Sequence, residues 1–244
     1  MRHLEFRYPR RRLIRALLQK VTFVTFSVLS DYRVIGRDNL PNHGPLLVVG
    51  NHFSFLDPVA VISVMPWPIE FVGGFTVPNA PSAVAWLRKL WGFYPVYRGT
   101  GSQIAFRAAQ GVLGNGGVMG IFPEGTSAHA MLRPPRLGAA LMAVRSSTLL
   151  LPVGLAGLTG VIPALRQGRR ARVTVRIGQP FGPFVASGRG RRRREQLEEI
   201  SAEIMRRIAE LLPPDQRGFY SDDPQLREAA REAADFPWGA DPEG

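Results

Sequence analysis

Short apolar runs alternate with longer amphipathic segments along most of this chain. The apolar runs predict strands near 32–35, 46–50, 69–72, 93–97, 117–122, 149–155 and 171–177, with helices between most of them. That alternation is how a single α/β domain reads, with a central mostly parallel or mixed sheet flanked by helices. Asp57 followed by Pro58 predicts an N-cap with proline in the first helical position, opening a helix through about Met65. Ser82 and Ser102 open two more in the same way. The clearest amphipathic helix covers 195–212 and is stopped by Pro213 and Pro214. The arginine run at 189–194, bounded by Gly188 and Gly190, reads as an exposed loop, and the last thirty residues read as a loosely ordered acidic tail.

Near the start of the chain, Leu13, Leu17, Val21, Val24 and Val28 recur at helical spacing. Arg15 and Lys20 interrupt the apolar run, and the uninterrupted part, 21–29, is too short for a bilayer that requires about 20 apolar residues. No small-residue cleavage site follows. A helix lying on a membrane surface fits this pattern, with Arg15 and Lys20 snorkelling toward phosphates. An ordinary amphipathic helix packed on the domain is the other reading.

A length of 244 residues suits one large α/β domain. With 45% apolar residues, 20% charged residues and a mean hydropathy of −0.02, the chain is neither disordered nor a polytopic membrane protein. It contains no cysteine, which excludes disulfide scaffolds, thiolate metal sites and cysteine nucleophiles. The net charge of +12 is unevenly placed: residues 1–20 carry +6, 21–165 carry +4, 166–194 carry +10 without an acid, and 195–244 carry −8. Two flanking basic stretches point to a polyanionic surface, phospholipid head groups or nucleic acid, unless they are simply solvated faces.

The candidate chemistry begins at His52, which follows an apolar strand, and Asp57, which opens the next helix. On one continuous helix, residues five apart point about 140° away from each other, so only a turn brings this pair together. A carboxylate against one imidazole nitrogen fixes the tautomer and leaves the other nitrogen to take a proton from an alcohol. A plain helix cap beside a turn histidine gives the same pattern. Three further segments accompany the pair: Phe122-Pro123-Glu124-Gly125-Thr126 after the run 117–121, a strand ending at Arg98, and the buried-looking run 151–157 with Pro152 near its start.

Together, in this order and spacing, these segments resemble the 1-acylglycerol-3-phosphate acyltransferase family, the PlsC-like lysophospholipid acyltransferases, over roughly residues 30–220. The His-x4-Asp block stands at Asn51 to Asp57, the arginine block ends at Arg98, the Phe-Pro-Glu-Gly-Thr block is intact at 122–126, and the proline block is Pro152-Val153. Residues 212–218 also look like the family's C-terminal signature. The resemblance implies a glycerolipid acyltransferase-like fold and transfer of a fatty acyl group from acyl-CoA or acyl carrier protein to the free hydroxyl of 1-acyl-sn-glycerol 3-phosphate, giving phosphatidic acid. It makes His52 the general base and Asp57 its orienting partner. Arg98 would grip the acceptor's phosphate, Glu124, Gly125 and Thr126 would shape the acceptor site, and Pro152 would line it.

The organisation expected from this reading is a basic membrane-associating segment at 1–30, an acyltransferase domain at 31–220 and an acidic tail at 221–244. No cofactor or metal is expected, because a thioester is already activated and the four histidines show no paired ligand spacing. Expected partners are the acyl donor, a lysophospholipid and an anionic membrane surface, not nucleic acid, which places the protein on the cytoplasmic face of the cell membrane as a peripheral or monotopic protein. One departure stands out: Ser127 occupies the place where the family often has arginine, which shifts phosphate binding toward Arg98, Arg133 or Arg136 or changes the acceptor. Another lysolipid, a glycolipid, an amino-acid lipid or glycerol 3-phosphate is the alternative acceptor.

Overall fold

The computed structural model describes residues 11–74, 91, 94–96, 102–125 and 130–232. Seven strands form one sheet in the order β1-β7-β6-β2-β5-β3-β4. They are β1 (Ser30–Ile35), β2 (Leu46–Gly50), β3 (Ile69–Gly74), β4 (Tyr94–Val96), β5 (Val118–Ile121), β6 (Leu149–Ala156) and β7 (Ala171–Ile177). All seven lie where the apolar runs place them. Neighbouring strands are parallel except β6 and β7, so β1 and β7 run against the other five.

The described helices are α1 (Arg12–Leu29), α2 (Asp57–Val64), α3 (Ser102–Gly114), α4 (Gly138–Ser146), α5 (Val161–Arg166), α6 (Gly190–Ala209) and α7 (Pro224–Glu232). They form two layers. Leu47 and Val49 of β2 pack with α3, α4 and α6 on one face, while Leu46 and Val48 pack with α1 and α2 on the other. Successive side chains of a strand point to opposite faces, so a strand covered on both sides must be apolar at every position. That is why β2 reads as an unbroken apolar run.

This layering creates the site. The chain leaves β2 into α2 on one face and leaves the adjacent β5 toward α4 on the other. Where neighbouring parallel strands send their connections to opposite faces, a crevice opens beyond their carboxyl ends.

Four sequence expectations change. Asp57 is the first residue of α2, not its cap: Leu56 precedes the helix, and the Asp57 carboxylate turns back onto the loop. The arginine run belongs to α6, because arginine is a good helix former and Arg191 and Arg194 meet Glu195 and Glu198 one turn on, at 2.8 and 3.0 Å. The described part of the acidic tail is structured: α7 buries Ala230, and Arg227 donates to the carbonyls of Ser221 and Asp222. Arg15 does not snorkel. It lies opposite the apolar stripe of α1 and is buried, paired with Glu70 of β3. The helix expected to open at Ser82 lies outside the described residues.

α1 packs along α2 with Leu18 and Phe26 inward, and its Gln19 amide donates to the carbonyls of Met65 and Trp67 at 3.0 and 2.9 Å. Leu13, Leu17, Val21, Val24 and Val28 face out, with Leu13 85% exposed. No helix among the described residues is long and apolar enough to cross a membrane.

Candidate active site

The loop after β2 is fixed from below by Asn51. Its buried side-chain amide donates to the Leu155 carbonyl at 2.8 Å and accepts from the Leu155 amide at 2.7 Å, tying the end of β2 to β6. The next residue, His52, is therefore delivered at the carboxyl end of the sheet. Its Nδ1 stands 3.0 Å from Asp57 Oδ2, with the imidazole 17% exposed and the carboxylate 1%.

Asp57 also accepts from the backbone amides of Phe53 and Ser54, both at 2.6 Å. Burial pushes this carboxyl above its ordinary value, opposed by the hydrogen bond and charge of His52 and by those two amides. Two consecutive backbone amides and the imidazole thus converge on one carboxylate oxygen, which fixes the loop around the His52 ring.

The Phe122–Gly125 turn closes the other side. The Phe122 ring stacks on His52 at 4.4 Å between centroids and 22° between planes. Glu124 is buried, and its two oxygens accept from the His52 amide at 2.9 Å and the Arg133 amide at 3.3 Å. Desolvation drives its carboxyl up to about 8, against the His52 hydrogen bond and the Arg133 charge. Glu124 therefore joins the histidine loop, its own turn and the segment carrying Arg133. Gly125 has φ +72°, and a Cβ there would stand 2.9 Å from Arg136 Cδ and 3.0 Å from Arg136 Nε. The positive φ favours glycine, and the Arg136 side chain lies across the turn.

Arg133 is buried within the charge field of both Glu124 and Arg136, and desolvation lowers its pKa. The segment is held by the residues after α6. The Leu132 amide donates to the Gln216 carbonyl, and Gly218 approaches so closely that a Cβ would lie 2.1 Å from the Leu132 oxygen. The C-terminal signature at 212–218 thus buttresses the site.

His52, Asp57, Glu124 and Gly125 come together. Pro152 is buried within β6 opposite Val49, three residues before His52 on the neighbouring strand, and its carbonyl accepts from Gly178. Arg98, Thr126 and Ser127 lie outside the described residues. Asn51 and the clamp function of Glu124 escaped sequence reasoning, since their partners are 104 and 72 residues away. The only available signal was their presence inside motif blocks.

A buried carboxylate thus holds one nitrogen of a mostly buried imidazole at the strand ends of an α/β scaffold, an arrangement able to carry acid–base chemistry. The acyltransferase family model matches residues 31–156, just over half the chain, and the chain belongs to the acyltransferase family. It is 28% identical over 124 residues to a 1-acyl-sn-glycerol-3-phosphate acyltransferase from Borreliella burgdorferi, a match that spans 50% of this chain and 50% of that relative's length. The crystal structure of PlsC, the 1-acyl-sn-glycerophosphate (LPA) acyltransferase from Thermotoga maritima, superposes with a TM-score of 0.54 at 25% identity, covering 78% of each chain.

Proposed function

We propose that this protein transfers a fatty acyl group from a thioester, acyl-CoA or acyl carrier protein, to the free hydroxyl of 1-acyl-sn-glycerol 3-phosphate. The observation that carries the reading is the His52–Asp57 pair at 3.0 Å beyond the carboxyl end of β2. Asp57 occupies Nδ1, so Nε2 is left to accept the acceptor's proton. The hydroxyl oxygen attacks the thioester carbon, the carbon–sulfur bond breaks, and the thiolate takes the proton back from His52. A positioned base of this kind supplies about 10² to 10⁴ in rate. Direct attack needs no covalent enzyme intermediate, in keeping with a chain that has no cysteine.

Glu124 supports the same reading by holding the His52 amide, which keeps the base loop against the Phe122–Gly125 turn. Arg98 is assigned to the acceptor's phosphate, and Thr126 to the acceptor site, by resemblance to the family. Arg136, laid across Gly125, adds a cation at the turn. The apolar stripe of α1 is assigned to peripheral contact with an anionic bilayer on the cytoplasmic face of the cell membrane, where thioester donors are found.

Thiol release with both donors and a panel of acceptors tests the assignment: 1-acyl-sn-glycerol 3-phosphate, glycerol 3-phosphate, a lysophosphatidylcholine and a monoacylglycerol. Phosphatidic acid should be the fastest product. His52→Ala should reduce kcat by about a hundredfold or more with an unchanged thermal melt. Near-normal turnover by that variant would remove His52 from the mechanism, and faster acylation of another acceptor would reassign the substrate.

A further inference from the structure

The opposed direction of β1 and β7 brings a basic turn to the same end of the sheet as His52. β2 ends at Gly50, level with Val153 of β6, and Asn51 is clamped to Leu155. Ala156, the last residue of β6, pairs with Thr174 of the antiparallel β7, and Ala171 starts β7 three residues further out, beside Ser30 of β1. At about 3.3 Å per residue, the starts of β1 and β7 project roughly 10 Å past the end of β6, on the His52 side. The turn that feeds β7 carries Arg166, Arg169, Arg170 and Arg172 within seven residues.

This turn is fastened to the end of α1. Arg170 donates to the carbonyls of Ser27 and Ser30, groups that a helix terminus leaves without intrahelical partners. Val24 and Val28 of the outward stripe belong to that same last part of α1 and are 58% and 63% exposed. Arg166 and Arg169 are exposed. Arg172 is 76% exposed and lies 3.6 Å from Asp31, a carboxylate already 3.2 Å from Arg33. The other arginine block is placed differently. Arg191 and Arg194 are paired along α6 with Glu195 and Glu198, and α6 packs on the face of the sheet opposite α1.

We propose that the Arg166–Arg172 turn is an anionic-lipid-binding element that seats the His52 end of the molecule on the bilayer. The stripe of α1 enters the interface while the guanidinium groups of the turn meet lipid phosphates, a pairing that their planar, two-pronged donors match. The adjoining apolar residues select a lipid surface over nucleic acid, whose backbone offers valines nothing. The inference rests on the membrane contact proposed for α1 and adds to it the origin of charge selectivity.

The test uses the full chain carrying Arg166→Gln, Arg169→Gln and Arg172→Gln together, with Arg170 kept because it holds α1. Sedimentation is compared on vesicles of phosphatidylcholine alone and of phosphatidylcholine mixed with phosphatidylglycerol. The triple variant should match the parent on neutral vesicles and lose about fivefold per charge on anionic ones, roughly a hundredfold in all. The corresponding triple lysine variant should keep most of the anionic preference, and all three proteins should melt alike. Unchanged binding of the glutamine variant to anionic vesicles would overturn the proposal while leaving the α1 contact intact. Failure of the parent to bind any vesicle would overturn both. Tighter binding of the parent to duplex DNA than to anionic vesicles, abolished in the triple variant, would make nucleic acid the partner instead.

Discussion

Glu124 sits out of water between two backbone amides, and that position dictates a pH dependence. The unfolded chain ionises a glutamate near 4.5, whereas burial holds this one to about 8. Between those values the folded protein keeps a proton that the unfolded chain releases. Its contribution to stability is therefore complete below about pH 4.5 and is lost as pH rises through about 8. Glu124→Gln should flatten that decline, because its side chain does not titrate. It should also lower stability by ~1 to 3 kcal/mol, since an amide has one oxygen for the two donors from His52 and Arg133. Thermal melts across this window resolve the effect, as ~1 kcal/mol moves the melting temperature of a domain this size by ~2 to 4 °C. Parallel curves for parent and variant would assign the titration to another group. At this scale the sequence was half legible. His52 and Asp57 are five apart and announce themselves, but the clamp from Glu124 to the His52 amide closes a gap of 72 residues that no local pattern encodes.

Among the elements, the strands were legible because β-branched and leucine-rich runs covered on both faces leave an unbroken apolar signature. Strand direction was not, since nothing local to 171–177 says that β7 reverses against β6. The helices failed where charge was taken as a sign of solvent. Arg191 to Arg194 look like a loop but continue α6, and Arg15 looks like an interruption but anchors α1. Arg15 is about 200° around the helix from Leu13, on the face that meets the sheet. Its Nη1 and Nη2 reach the Glu70 oxygens at 2.5 and 2.9 Å, and its Nε and Nη2 donate to the Trp91 carbonyl at 3.1 and 2.7 Å. Two charges out of water cost more than they return unless both are present, so removing one partner should be severe. Arg15→Ala should cost ~3 to 5 kcal/mol in guanidinium unfolding, and Arg15→Met combined with Glu70→Leu should recover most of that loss. A cost below ~1 kcal/mol would mean that α1 is held by its other contacts, Leu18, Phe26 and the Gln19 amide, rather than by the ion pair.

For the whole molecule, α1 belongs to the core and to the surface at once, which decides how membrane contact must be tested. Deleting residues 2–29 would strip Leu18 and Phe26 from α2 and leave the Glu70 carboxylate without Arg15, so lost vesicle binding would report unfolding as readily as undocking. The outward face offers a cleaner lesion. Leu13, Leu17, Val21, Val24 and Val28 span only about 80° of the helix at 100° per residue, and the buried positions Arg15, Leu18 and Phe26 lie on the other side. Replacing Leu17, Val21, Val24 and Val28 by serine leaves the inward face intact. Each such side chain contributes ~1.5 to 3 kcal/mol when fully buried, and even a third of that over four positions amounts to ~2 to 4 kcal/mol. The serine variant should therefore bind neutral and anionic vesicles at least about thirtyfold less well, at an unchanged melting temperature. Its acyl transfer to a bilayer-embedded acceptor should fall with binding, while transfer to a short-chain acceptor dispersed in water should persist, because His52, Asp57 and Glu124 are untouched. Equal losses on both acceptors would mean that the stripe supports the fold of the site. Undiminished vesicle binding would move the docking surface off α1 altogether.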